Sequence, residues 1–147
     1  MKKVFTIIFA AACVQAANAQ FSLGIGAGYS SKNSSIMELQ VSNVTPRGLA
    51  FSAGYQVHIS NRVSNPAIIQ AKAGYLLPLG AWTSLIPSAG YAFHLHSTDN
   101  KAMNKHTYLL SAQLERLTKT ERGLIYLNTT YSNKIFIVTI GIKGLFN

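Results

Sequence analysis

Two clusters in this chain have residue types and spacings that suit chemistry. His58-Ile59-Ser60-Asn61 sets an imidazole and a hydroxyl two residues apart, and residues i and i+2 of a strand share a face. A serine becomes a nucleophile when a neighbouring base takes its proton, and an acid must in turn orient that base. His58 and Ser60 are therefore the candidate catalytic residues. The next apolar stretch offers Gln70 and Lys72 but no carboxylate, so the third group is missing. The second cluster is His94-Leu95-His96, with Asp99 and His106 close by. Imidazoles two apart can share a metal when a third ligand converges, which makes His94 and His96 the candidate metal ligands. His106 falls on the other parity of its own segment, so hydrogen bonding and hydration are the simpler roles for this pair. Gly24-x-Gly26-x-Gly28 lacks the spacing and following helix of a dinucleotide fingerprint. No cofactor is expected.

The elements that carry these residues alternate apolar and small or polar side chains. Leu49, Phe51, Ala53, Tyr55, Val57 and Ile59 share one parity, and Ala50, Ser52, Gly54, Gln56, His58 and Ser60 the other. Such a period of two is that of a strand with one greasy face. The pattern predicts eight strands, over about 21–30, 36–43, 48–60, 67–77, 82–96, 107–117, 122–131 and 134–146. Ser, Asn, Gly, Pro and Lys fill the connections, as turns require. Strands near ten residues suit a tilted membrane crossing, which takes about 9–11.

Residues 1–19 have the form of an export signal. Lys2 and Lys3 precede an apolar run from Val4 to Ala12, and Ala17-Asn18-Ala19 supplies small residues before a cut at Gln20. The run is shorter than the roughly 20 residues of a membrane helix. Lipidation at Cys13 is the rival reading; the cysteine follows the lysines closely and lacks the usual Leu three places before it. Cleavage after Ala19 leaves 128 residues, one domain's worth, without a cysteine. The formal charge of +9 becomes about +7. Its basic residues are scattered over turns and strand ends rather than striped, which argues against nucleic acid and for anionic headgroups or polysaccharide.

Apolar faces that recur behind an export signal imply a closed barrel with lipid outside. With both termini periplasmic, the outer loops are 31–35, 61–66, 97–105 and 132–133, and the longest polar connection falls outside. Ala-Gly-Tyr occurs at 27–29, 53–55, 73–75 and 89–91, which places an inward Gly beside an outward Tyr. Tyr29, Tyr75, Trp82 and Phe146 are the expected membrane-interface aromatics. An eight-stranded barrel has a bore that side chains fill. By parity the inward set includes Gln40, Ser52, Gln56, His58, Gln70, His94 and Gln113, with Glu38, Lys72, Glu115 and Arg122 as a mutually neutralising charge network.

At the chain's end Phe136, Val138, Ile140, Ile142, Gly144 and Phe146 share one parity. This ending resembles the C-terminal strand of outer-membrane barrels, with Asn147 as a one-residue departure. Signal, eight strands and ending together resemble the small OmpA/OmpX-type barrels over residues 20–147. The resemblance implies an all-β, antiparallel up-and-down transmembrane barrel in the outer membrane of a Gram-negative bacterium. It also implies contact with outer-membrane lipid and lipopolysaccharide, insertion by the barrel-assembly machinery, and a monomer. Members of that class serve structural, adhesive, resistance or lipid-modifying roles, so the fold does not choose among them. His58-Ile59-Ser60-Asn61 is similar to the His-x-Ser-Asn element of lipid A deacylases, where a His–Ser pair with a Glu cleaves an acyl ester. Here the element ends the third strand instead of lying near the last ones, and parity turns His58 inward.

Three readings follow. The first is a non-enzymatic outer-membrane barrel with a structural or interaction role for its loops. The second is a lipid A-modifying acyl hydrolase built on His58 and Ser60. The third is a soluble exported barrel whose apolar parity faces inward around a ligand. The uncharged second face of strand one (Ser22, Gly24, Gly26, Gly28, Ser30) favours membrane insertion over the third.

Overall fold

A computed structural model describes residues 20–31, 34–59, 67–95, 105–120, 122–132 and 135–146, the side chains of Lys105 and His106 excepted. Residues 1–19, expected to be an export signal, and Ser60, His96 and Asp99 lie outside the described residues.

The described residues form nine strands: β1 (Gln20–Ser30), β2 (Ser34–Val44), β3 (Leu49–Ile59), β4 (Ala67–Tyr75), β5 (Leu77–Pro78), β6 (Thr83–Leu95), β7 (Lys105–Leu117), β8 (Gly123–Ser132) and β9 (Ile135–Phe146). Every neighbouring pair is antiparallel. The order β4-β3-β2-β1-β9-β8-β7-β6 closes on itself through β4–β6 pairing. The expected strand over 67–77 is interrupted at Leu76, and the short β5 carries it on against the start of β6. The barrel therefore has eight staves, and closure leaves no unpaired edge.

Each strand's period of two becomes inside and outside. Ile25, Met37, Phe51, Ile69, Leu110 and Ile140 are exposed on the outer surface, while Gln40, Gln56, Gln70 and Asn128 are buried within. A soluble barrel would invert this arrangement. Such a surface matches hydrocarbon, and the chain is a transmembrane β-barrel. Aromatics collect towards both ends of that surface. Phe21 pairs with Phe146 near the termini. At the far end Tyr131 pairs with Phe136, and Tyr91 stacks edge-on against Tyr108 with centroids 5.6 Å apart.

At the end that holds the termini the chain turns at 45–48, 79–82 and 118–122. In Thr45-Pro46-Arg47-Gly48, Gly48 N–H donates to Thr45 O, and Gly48 has φ +82°. Pro at the second position and a glycine in the left-handed region make this a tight turn with a bulge.

Candidate functional site

The interior is the place where polar side chains converge. Glu38 of β2 is its centre, because the inward parity of four strands meets there. Its Oε1 accepts hydrogen bonds from Gln70 Nε2 at 2.8 Å and Gln56 Nε2 at 3.3 Å, and its Oε2 accepts from Thr139 Oγ1 at 2.8 Å. One carboxylate thus ties β2, β3, β4 and β9 together.

A second centre lies nearer the termini. Lys143 of β9 donates to Glu115 Oε1 on β7 at 2.6 Å and to Ser42 Oγ on β2 at 2.9 Å. Gln113 Nε2 also donates to Glu115 Oε1. The ammonium stands 5.3 Å from the centre of the Tyr126 ring. Tyr126 is 1% exposed, and its ring occupies a slot left by glycines. A Cβ on Gly26 would collide with Tyr126 Oη, and one on Gly141 would come within 2.6 Å of the ring.

Of the four groups expected to form the charge network, Glu38, Lys72 and Glu115 are buried, and Arg122 is not. Arg122 precedes β8, in the turn after β7, where strand parity no longer applies, and its side chain points to solvent. Lys143 holds the place assigned to Arg122. Its signal was present in the sequence: it alternates with Ile142 and Gly144 on the inward parity of the last strand. Tyr126 was also missed, because a tyrosine in a barrel strand reads first as an interface aromatic. Tyr29, Tyr75, Trp82 and Phe146 are all exposed.

His58 points inward, and its Nδ1 lies 3.2 Å from Ser34 Oγ across the β2–β3 pair. Among the described residues the hydroxyl at the imidazole is that of Ser34. Both residues are buried, and His58 Nε2 has no hydrogen-bond partner. Among the described residues no carboxylate is hydrogen-bonded to this imidazole. His94 Nε2 lies 2.9 Å from Thr107 Oγ1. His58 and His94 line one cavity of about 20 Å³ with Gln56 and Gln70. Among the described residues no three metal-ligating side chains converge.

The filling is not polar throughout. Ile36, Ile68, Ala92, Leu109 and Ile137 are buried near the end away from the termini, with Ile68, Ala92 and Leu109 in mutual contact. At the other end Val44, Leu76, Leu117, Leu124 and Leu145 line an open vestibule of about 270 Å³ above Glu115. On both sides of the polar centres apolar side chains share the bore with polar ones, His58, His94 and Thr130 at one end and Ser22, Thr83 and Ser84 at the other.

No protein-family model matches the chain, and no curated protein matches it by sequence. Solved structures do match by shape. The N-terminal β-barrel domain of Pseudomonas aeruginosa OprF superposes with a TM-score of 0.66 at 12% identity, covering 86% of this chain and 97% of that one. The Yersinia pestis outer membrane protein Ail in a phospholipid nanodisc gives 0.62 at 14% identity, covering 87% and 99%. The outer membrane enzyme PagL gives 0.56 at 12% identity, covering 83% and 97%. These likenesses are of architecture: the chain has the fold of the small eight-stranded outer-membrane β-barrels.

Proposed function

We propose that this is a non-enzymatic integral outer-membrane protein whose role, structural or interactive, is carried by the loops at the end away from the termini. The observation that supports this reading is the filled bore. Glu38 fastens four strands at mid-barrel, and Ile36, Ile68, Leu109 and Ile137, with His58 and His94 among them, fill the section above it. A bore of this size, occupied by side chains, offers no aqueous path. A signal cleaved after Ala19 delivers the chain, the assembly machinery inserts it, and the outer loops face lipopolysaccharide and the medium.

Fractionation with heat-modifiability tests location and barrel together. The barrel should sediment with the outer membrane and migrate faster unheated than boiled. Pure barrel in planar bilayers should show no steady conductance. A stable open channel would replace the structural reading with a transport one.

The hydrogen bond between His58 and Ser34 keeps a lipid-modifying reading testable. A serine beside a base has the elements of a nucleophile, but here both are enclosed and no acid among the described residues assists. Mass spectra of lipid A from cells with wild-type, His58→Ala and Ser34→Ala proteins should be identical. A change of acyl count that depends on His58 would establish the enzyme.

A further inference from the structure

The lipid-facing wall bears a single charge among the described strand side chains. It is Arg116, near the end of β7, exposed on the outward parity. Across the ladders it is paired with Thr83 of β6 and Ile125 of β8, so neither neighbour supplies an acid. The turn to β8 adds two more exposed cations, Lys119 and Arg122. Thr118 N–H donates to Gly123 O at 2.8 Å and closes that turn, which keeps the three cations on one hairpin. Among the described residues none of them makes an ion pair. Glu115 points inward and is held by Lys143. Three cations against the single acid Glu121 leave the hairpin with a positive surplus. On the membrane side of Arg116 the same surface is apolar: Leu114, its cross-strand partner Leu127, and Ile125 are all exposed. A guanidinium at such a boundary lays its stem along the apolar wall and carries its charge to the headgroups.

We propose that the β7–β8 hairpin is a docking site for an anionic phospholipid in the leaflet at the terminal end of the barrel. Arg116 holds the phosphate, to which a guanidinium can donate two parallel hydrogen bonds. Lys119 and Arg122 attract the net negative charge of the headgroup, and an acyl chain lies over Leu114, Ile125 and Leu127. A zwitterionic headgroup offers the same phosphate but brings its own cation, which the surplus charge of the hairpin repels. Arg47, also exposed at this end, belongs to the β2–β3 turn on the opposite side of the ring and takes no part. The partner is a membrane lipid at the terminal end, so the inference is independent of what the loops at the far end engage.

A fluorophore beside Arg116 tests this. Trp82 is the chain's only tryptophan, and Ile125 is the cross-strand partner of Arg116. Ile125→Trp in a Trp82→Phe background therefore puts one reporter on the lipid face at the site. The full mature barrel with this pair of substitutions is reconstituted into equimolar phosphatidylglycerol and phosphatidylcholine, with brominated chains on one lipid or on the other. Bromine quenches tryptophan on contact, so the two samples give the ratio of the lipids beside the reporter. Phosphatidylglycerol should be enriched there several-fold over its share of the bilayer. Arg116→Gln, Lys119→Gln and Arg122→Gln together should return the ratio to that of the bulk, and Arg47→Gln should leave the enrichment unchanged. Heat-modifiability checks that each variant has inserted; if the combined variant has not, the ratio in the reporter barrel decides alone. A bulk ratio in the reporter barrel, or an enrichment that survives the three substitutions, would overturn the proposal.

Discussion

Lys143 Nζ lies 2.6 Å from Glu115 Oε1, although β9 and β7 are not neighbours and the whole of β8 separates them. The two side chains are 1% and 5% exposed. The lysine can reach because Tyr126 of β8 lies flat against the glycine slot, and the ammonium rests by its ring. A cross-barrel contact of this kind braces the wall where backbone pairing alone would allow it to flex.

That pairing should be visible in a double-mutant cycle. Breaking a buried ion pair on one side typically costs about 3–5 kcal/mol, whereas replacing both partners with apolar residues can be nearly neutral. Glu115→Gln and Lys143→Met should each lower the urea midpoint of the detergent-folded barrel, and the double variant should recover much of the loss. Arg122→Ala, on the exposed turn residue, should stay within about 0.5 kcal/mol of wild type. Additive losses at positions 115 and 143 would mean that the two groups are solvated separately.

The packing of Tyr126 makes a steric prediction. Gly26→Val places a branched side chain where Tyr126 Oη stands and should prevent efficient folding. Adding Tyr126→Ala should restore folding, because the slot is then empty. Tyr126→Phe removes a hydroxyl that has no hydrogen-bond partner, so its stability should equal or exceed wild type. The fraction of heat-modifiable protein after refolding measures all three.

Outward and inward positions should respond oppositely to charge. Ile140 is exposed on the lipid face, paired with Ala27 in mid-strand. Ile140→Lys should impair insertion, since lysine at the bilayer midplane costs about 2–4 kcal/mol. Ser52→Asn, on the inward parity, should be mild. Folding yields into vesicles of defined thickness compare the two directly, and a more damaging inward series would invert the assignment of faces.

Removal of the Glu38 carboxylate should loosen the mid-barrel. Glu38→Ala leaves Gln56, Gln70 and Thr139 without their common acceptor, and stranding buried donors costs about 1–3 kcal/mol each. Glu38→Gln keeps the shape and one acceptor oxygen, and should lose less. Amide hydrogen exchange in β2, β3, β4 and β9 should rise in Glu38→Ala and remain slow in β6 and β7.

The sequence alone determined everything that a period of two can encode. Leu49 to Ile59 announced a strand with one lipid face, and the same alternation, repeated eight times, led to the barrel and to the inward placement of Glu38, Gln70, Lys72 and Glu115. Lys143 was equally legible by parity, as the one charged residue on the inward face of a last strand whose other face is apolar. Arg122 went the other way: parity holds only while the backbone is extended, and the turn before β8 releases that side chain to solvent. Partnerships could not be read at all. Which carboxylate meets which lysine depends on strand tilt and on contacts across the bore between residues tens of positions apart. So does the meeting of His58 with Ser34, 24 residues earlier on the neighbouring strand. Alternation assigns each residue a face; only closure of the barrel sets the heights at which facing side chains meet, because that height is a property of the whole ring and of no single strand.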